Sequence, residues 1–193
     1  VIISSKKVTS ILILKILTTR AIRAFMNELR ALYLHIPFCR QICHYCDFAK
    51  TALYDQTTVS KYFEKIYEYL NMAVDQGWLK GLDSIFLGGG TPGLFNKHYE
   101  RLFSRLEPHL DHNCEVSIEC NPNDVTVENL EIWDQMGINR FSIGVQSFSS
   151  VGLNFLTRDH TARQSLEAID KALSFANNVN VDLIYGWSGQ TLN

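Results

Sequence analysis

The chain has 193 residues, enough for one domain with a real core, and its 46% apolar and 20% charged content is that of an ordinary globular protein. A net charge of −2 gives no reason to expect a nucleic-acid partner, and no apolar run reaches the length of a membrane span. Five cysteines in a chain of this size do not indicate a disulfide-stapled scaffold, so we expect a cytoplasmic protein.

Charge is unevenly distributed along the sequence. Residues 1–27 contain five basic and no acidic side chains, whereas the remainder carries a net charge of −7. A basic head of this kind is typical of targeting segments. Because Met26 lies just before the first predicted strand, we interpret residues 1–27 as a non-native or targeting-like extension. Residues 28–193 are the predicted core domain, which we expect to be C-terminally incomplete because Asn193 follows a strand and its loop without a closing helix.

A strand–loop–helix rhythm runs through this core domain. Short apolar runs predict strands, and apolar residues at helical spacing predict the helices between them. The capping box Thr161-Ala162-Arg163-Gln164 marks the start of the last helix. Alternation of this kind predicts a parallel sheet with right-handed crossovers, either a closed barrel or an open doubly wound sheet. The predicted strands are 31–36, 82–87, 115–120, 140–145 and 179–185, and the predicted helices are 59–74, 99–110, 126–136 and 161–176.

Three cysteines follow the first predicted strand in a C-x3-C-x2-C pattern: Cys39, Cys43 and Cys46. Thiolates are soft ligands that favour iron–sulfur clusters, zinc or copper(I). A structural zinc site needs a fourth ligand, which His35 or His44 could supply. Reduced thiols without a metal are a further alternative. In a four-iron cluster, three cysteines leave one iron open to another ligand.

Polar and glycine residues gather where the other predicted strands end, which is where parallel α/β folds carry their chemistry. The run Gly88-Gly89-Gly90-Thr91-Pro92 has neither the dinucleotide spacing G-x-G-x-x-G nor the Lys-Ser/Thr of a P-loop, and a tight turn is its simpler explanation. Glu119 and Gln146 lie at the ends of later strands. For Arg158 the alternative is a solvated surface charge. Asp182 lies inside an apolar strand, where an unpaired buried charge is costly.

Taken together, these motifs resemble the radical S-adenosylmethionine superfamily, and within it the oxygen-independent coproporphyrinogen III oxidase group. The resemblance covers residues 32–193 and implies a partial (β/α)6 TIM-like radical SAM barrel, truncated here after five strands. It rests on Tyr33-Leu34-His35-Ile36-Pro37-Phe38-Cys39 with the cysteine loop, Gly88-Gly89-Gly90-Thr91-Pro92, Val145-Gln146-Ser147-Phe148 and Asp182-Leu183-Ile184-Tyr185-Gly186.

The resemblance also implies a set of cofactors and the residues that contact them. Cys39, Cys43 and Cys46 would hold a 4Fe–4S cluster whose open iron chelates S-adenosylmethionine, and an electron from the reduced cluster would yield a 5′-deoxyadenosyl radical. Gln146, Arg158 and Asp182 match positions that line the same cavity or hold a second S-adenosylmethionine. The positions matching contacts to the first are Tyr33, Tyr45, Gly89, Gly90, Thr91 and Glu119.

One position separates the two branches of this group. The oxidases carry a further cysteine two positions after the third, where this chain has Phe48. Cys46-Asp47-Phe48 is similar to the haem chaperone (HemW) branch, which is associated with haem binding and delivery to respiratory proteins. The haem-associated motif of that branch, His-Asn-x-x-Tyr-Trp, is not formed at His112-Asn113 and is expected in a C-terminal region.

We therefore favour a haem chaperone over two alternatives. One is an oxidase that decarboxylates porphyrinogen propionates, and the other is a zinc-binding structural module. The expected partners are haem or a porphyrinogen, a reducing electron donor and, for a chaperone, haem-accepting respiratory proteins. No residue is assigned a catalytic role.

Overall fold

A computed structural model of the chain describes residues 29–191. Its five strands are all parallel and hydrogen-bond in the order in which they occur along the chain. The interpretation of residues 1–27, the start at Met26 and the terminal Asn193 lie outside the described residues. The strands are β1 (Leu29–Ile36), β2 (Leu79–Gly89), β3 (Leu110–Cys120), β4 (Arg140–Gln146) and β5 (Asn178–Leu183).

Helices connect consecutive strands, and within residues 29–191 β1 and β5 do not pair with each other, so the sheet stays open. This architecture confirms the predicted α/β class and the incomplete barrel. None of the helices in this part of the chain is long and apolar enough to cross a membrane. The helices are α1 (Gln56–Asp75), α2 (Glu100–Leu106), α3 (Val127–Gln135), α4 (Ser150–Phe155) and α5 (Ala162–Leu173).

The two faces of the sheet have different chemistry because side chains alternate along each strand. In β1, Leu32, Leu34 and Ile36 are buried in the core, whereas Tyr33 and His35 point to the opposite face and are partly exposed. Apolar residues of the helices pack on the first face. The second face is polar and leads to the carboxyl ends of the strands. The largest fully buried side chains of the core are Trp133, Tyr99, Phe141, Leu34, Ile36 and Leu82.

Polar side chains cap the starts of α1, α3 and α5, and the sequence predicts the cap of α5. Asp55 accepts a hydrogen bond from Thr58 N at the start of α1, 2.6 Å away, and Thr126 caps α3 in the same way. The predicted capping box at Thr161 is present, with Gln164 Oε1 accepting from Thr161 N at 2.8 Å. Local sequence therefore determines where these helices start.

Several element boundaries differ from the prediction, and one helix was not predicted. The helix expected to reach Leu110 ends at Leu106, followed by a 3-10 turn over Glu107–His109, and Leu110 is the first residue of β3. Pro108 in that turn lacks the amide proton needed to continue an α-helix. The short helix α4 was not predicted. Its N-cap is Ser149, whose hydroxyl accepts from Gly152 N at 3.4 Å.

Candidate functional site

The segment between β1 and α1 contains the three cysteines, and we call residues 39–48 the cysteine loop. Its base is fixed by two backbone hydrogen bonds, from Cys39 N to Thr51 O at 3.0 Å and from Thr51 N to Pro37 O at 2.7 Å. Phe38, only 2% exposed, anchors the same point in the core by contacting the rings of Tyr54 and Phe95. The loop therefore leaves the carboxyl end of β1 from a fixed point.

His35 ties the far end of the cysteine loop to the polar face of β1. Its Nε2 lies 2.7 Å from Ala49 O, and its Nδ1 lies 3.2 Å from the hydroxyl of Tyr33. Because a carbonyl oxygen only accepts, Nε2 carries the proton and Nδ1 accepts from Tyr33. His35 thus positions the loop, and its two ring nitrogens are already engaged, which disfavours it as the fourth ligand of a zinc site.

The glycine run after β2 lets backbone approach the cysteine loop closely. Gly90 N donates to Ile36 O at 2.7 Å, and a Cβ on Gly90 would lie 2.8 Å from Cys39 Sγ and 2.6 Å from Phe38 O. Gly89 has φ +117, a conformation that favours glycine, and its amide donates to Glu119 Oε2 at 2.8 Å. A side chain at Gly90 would occupy the space next to the first cysteine sulfur.

Two groups next to the glycine run, Cys39 and Glu119, have raised pKa values. Burial raises the pKa of Cys39, against a hydrogen bond from the buried Thr91 hydroxyl that lowers it. The Cys39 thiol must therefore lose its proton when its sulfur binds a metal as thiolate. Burial also raises the pKa of Glu119, with the charge of Asp182 acting in the same direction and the Gly89 amide opposing both.

Asp182, predicted as a cavity residue inside an apolar strand, is exposed on β5 rather than buried. In the described residues β5 has β4 as its only hydrogen-bonded neighbour, which leaves this strand at the edge of the sheet. The carboxylate accepts from Asn180 Nδ2 at 2.7 Å and from Ser142 Oγ at 3.1 Å. Gln146 ends β4 with φ +67, a strained conformation for a residue that is not glycine.

Arg158 reaches the cysteine loop from the segment after α4. Its Nη1 lies 3.3 Å from Cys43 Sγ and 3.4 Å from the hydroxyl of Tyr45, and its Nη2 donates to Gly144 O at 2.9 Å and to Asn121 Oδ1. Burial raises the pKa of Tyr45 to about 12, although the Arg158 charge acts against it. Tyr45 therefore stays a neutral hydrogen-bonding group.

These residues surround one cavity of about 480 Å³, a size typical of small-molecule sites. Tyr33 is not among its lining residues. It lies on the polar face of β1, with its ring stacked 5.8 Å from Phe86, and burial together with the Glu119 charge raises its pKa to about 12. The predicted site residues that line the cavity are Cys39, Cys43, Cys46, Tyr45, Gly89, Gly90, Thr91, Glu119, Gln146, Arg158 and Asp182.

The donor set fits a cluster with an additional organic ligand better than a single ion. The three sulfurs line one cavity, yet among residues 29–191 no three His, Cys, Asp or Glu side chains form a group that could hold one metal ion. A tetrahedral zinc site needs four converging ligands, whereas the cysteines of a cluster bind different irons. Arg158 Nε is buried and, within the same part of the chain, has no hydrogen-bond partner, which leaves a donor at the cavity wall.

Sequence reasoning missed several residues that hold the cysteine loop. Thr157 has φ +52 and accepts hydrogen bonds from Gln41 Nε2 on its carbonyl, at 3.0 Å, and from His44 N on its hydroxyl, at 3.3 Å. Asn121 accepts from Arg158 at the end of β3. The Asn-Pro pair at a strand end was a usable signal for Asn121. Thr157 carried no signal, because its partners are remote in sequence.

Comparison with known proteins adds a family assignment to this geometry. The sequence profile of the radical SAM superfamily matches residues 33–193. The chain belongs to the radical SAM superfamily. Membership of this family implies, in general, a 4Fe–4S cluster and S-adenosylmethionine.

Individual relatives are consistent with the predicted group. The chain is 33% identical to the haem chaperone HemW of Buchnera aphidicola over 165 residues, covering 84% of this chain and 44% of that protein. It is 37% identical to the HemW of Synechocystis over 172 residues, covering 83% of this chain and 41% of that protein. The chain thus spans less than half the length of these curated relatives.

A solved structure resembles most of the fold. The coproporphyrinogen III oxidase HemN of Escherichia coli, described as a radical SAM enzyme, matches with a TM-score of 0.79 at 25% identity. The match covers 90% of this chain and 42% of that one. The predicted resemblance to the coproporphyrinogen oxidase-like group is therefore confirmed.

Proposed function

We propose that residues 28–193 are the cluster-bearing core of a radical SAM haem chaperone. The observation that carries this proposal is Phe48. It stands two positions after the third cysteine, lines the mouth of the cavity and is 64% exposed. The oxidase branch has a cysteine at that position. Similarity to curated HemW proteins over more than four fifths of the chain supports the same choice.

Within this proposal the cavity has two parts with different chemistry. Cys39, Cys43 and Cys46 would hold the cluster. Glu119, which lines the same cavity, would contact S-adenosylmethionine as a hydrogen-bond acceptor. The chemistry that these two groups supply when bound is reductive cleavage of a sulfonium bond. The other proposed contacts that line the cavity are Tyr45, Gly89, Gly90 and Thr91, with Gln146, Arg158 and Asp182 lining it too or holding a second S-adenosylmethionine. Tyr33 is a further proposed contact, although it does not line the cavity.

An oxidase is the second candidate, and the structural likeness to HemN favours it. That enzyme class removes propionate carboxyl groups from a porphyrinogen. The two candidates share the cluster and S-adenosylmethionine and differ in what they do with a tetrapyrrole. Haem, an electron donor and haem-accepting respiratory proteins are the partners proposed for the chaperone, and a cytoplasmic location stays a prediction.

Two assays on the full-length protein, reconstituted anaerobically with iron and sulfide, separate the candidates. For a chaperone we expect about four irons per chain, a Soret absorbance that saturates on haem titration, and no release of CO2 from coproporphyrinogen III. Turnover of the porphyrinogen without haem binding would overturn the proposal in favour of the oxidase.

A pair of cysteine variants controls the iron measurement. Cys43→Ala removes one of three proposed ligands and should abolish cluster loading. Cys114→Ala removes a buried thiol that does not line the cavity and should load like the wild type. Full iron content in Cys43→Ala would contradict the assignment of the cluster.

A further inference from the structure

An ion pair links the cysteine loop to the turn after β3. Arg40, the residue after the first cysteine, places Nη1 2.6 Å from Oδ1 of Asp124. The Arg40 side chain is 51% exposed, whereas that of Asp124 is completely buried. A buried carboxylate is thus reached by an arginine from a loop that is otherwise largely at the surface.

Asp124 depends on this arginine for its charge balance. Apart from Arg40 Nη1, no group in residues 29–191 donates to its Oδ1, so the Arg40 guanidinium is the group that compensates it. Burial raises the pKa of Asp124 and the Arg40 charge lowers it. Breaking a buried pair leaves an uncompensated charge, so the carboxylate holds Arg40 firmly.

The same turn also controls the other side of the cysteine loop. Asp124 Oδ2 accepts from Asn121 N at 3.4 Å in a capping box that shapes the 3-10 turn over Pro122–Asp124. The side-chain oxygen of Asn121 accepts from Arg158, which contacts Cys43 and Tyr45. This turn therefore contacts the cysteine loop directly at Arg40, next to Cys39, and indirectly at Cys43 through Arg158.

We propose that Asp124 and Arg40 are positioning residues that set where the cysteine loop presents its sulfurs to the cavity. Neither lies among the residues assigned to a cofactor above. The inference rests on the proposed function only in assuming that the cysteine loop holds a cluster. It differs from a purely stabilising role, in which the pair would contribute to folding and leave the site unchanged.

Three variants test the inference on the full-length protein: Arg40→Gln, Asp124→Asn and the double variant. The readouts are iron content after anaerobic reconstitution, the electron paramagnetic resonance spectrum of the reduced cluster with and without S-adenosylmethionine, and the Kd for S-adenosylmethionine. We expect each single variant to bind S-adenosylmethionine at least roughly 10-fold more weakly and to show an altered spectrum. Because the two side chains act as a pair, the double variant should bind S-adenosylmethionine no more weakly than the single variant with the lower affinity.

Two further variants separate positioning from general stability. Arg40→Lys keeps the positive charge and should restore most of the affinity. Arg101→Gln breaks a solvent-exposed arginine–carboxylate pair, with Glu64 at 2.9 Å, on the helices away from the cavity. It controls for the loss of an arginine charge and should change neither the spectrum nor the Kd.

The outcomes are distinguishable from failure of the proposed function. If the wild type loads no cluster, the proposed function fails. If the wild type loads its cluster and Arg40→Gln shows the wild-type spectrum and Kd, even with a lower melting temperature, the inference is wrong. Because the Arg40 side chain is half-exposed, Arg40→Gln tests the inference if Asp124→Asn does not fold.

Discussion

At the scale of single residues, the site depends on backbone atoms that lie close to the cysteine loop and on the absence of a Cβ atom at Gly90. The space next to Cys39 Sγ exists because Gly90 has no Cβ. The Gly90 amide bonds to Ile36 O, and the Thr91 amide bonds to Phe38 O at 2.9 Å, so the backbone itself forms the wall. A larger residue would have to displace backbone rather than a flexible side chain.

Gly90→Ala should therefore prevent cluster loading. The added Cβ would lie 2.6 Å from Phe38 O and 2.8 Å from Cys39 Sγ, both far inside normal contact distances. We expect the iron content after anaerobic reconstitution to fall to below about one tenth of the wild-type value, which is the scale on which disturbed ligand shells lose metal.

Gly137→Ala is the matched control for that variant. Gly137 has φ +76 and open space around its Cα, so alanine there destabilises the fold by about 1 kcal/mol through backbone strain alone. Normal iron loading in Gly137→Ala with loss in Gly90→Ala supports the steric argument. Equal loading in both variants would contradict it.

At the scale of secondary-structure elements, capping controls where the helices begin and so which loops can face the cavity. The start of α5 is fixed by the reciprocal bonds of Thr161 and Gln164, and Gln164 Nε2 also donates to Asn123 Oδ1 at 3.3 Å. This last contact joins the helix to the turn that contains Asp124. The starts of α3 and α5 were predictable because their signals are local, whereas α4 went unpredicted because six residues carry too little periodicity.

Thr161→Ala should lower the free energy of unfolding by about 1 kcal/mol, because the first turn of α5 loses its N-cap. Urea denaturation followed by circular dichroism measures the change. Thr57→Ala is the control, since Thr57 lies within the first turn of α1 and not at its N-cap. A loss in Thr57→Ala as large as that in Thr161→Ala would argue against a specific capping effect.

At the scale of the whole molecule, the open sheet has one polar face and an exposed edge strand. β5 pairs with β4 alone among the described strands, and Leu183 in it is 56% exposed, followed by Tyr185 at 89%. Exposed apolar edge strands are sites where sheets pair with other chains. The 193-residue polypeptide should therefore self-associate through this edge.

Leu183→Lys should reduce that self-association, because a charge on an edge strand opposes strand pairing. Light scattering as a function of protein concentration measures it. Leu173→Lys serves as the control, since Leu173 is 50% exposed on α5 and does not lie on a strand. If both substitutions reduce scattering equally, net charge rather than the edge explains the effect.

The amino-acid sequence by itself determined the periodicity of strands and helices, the cysteine spacing and the gathering of glycine and polar residues at strand ends. These features are local, and a parallel α/β fold brings strand ends together whatever the details of packing. Eleven of the twelve predicted site residues accordingly line one cavity.

Only the tertiary structure decided which remote groups hold the cysteine loop. Arg40 meets Asp124, Gln41 meets Thr157 and Asn121 meets Arg158 because successive crossovers place the loops after β1, β3 and β4 side by side. It also decided that Asp182 is exposed and that Tyr33 lies outside the cavity wall. Burial and pairing depend on which strands become neighbours, and that information is not contained in any short stretch of sequence.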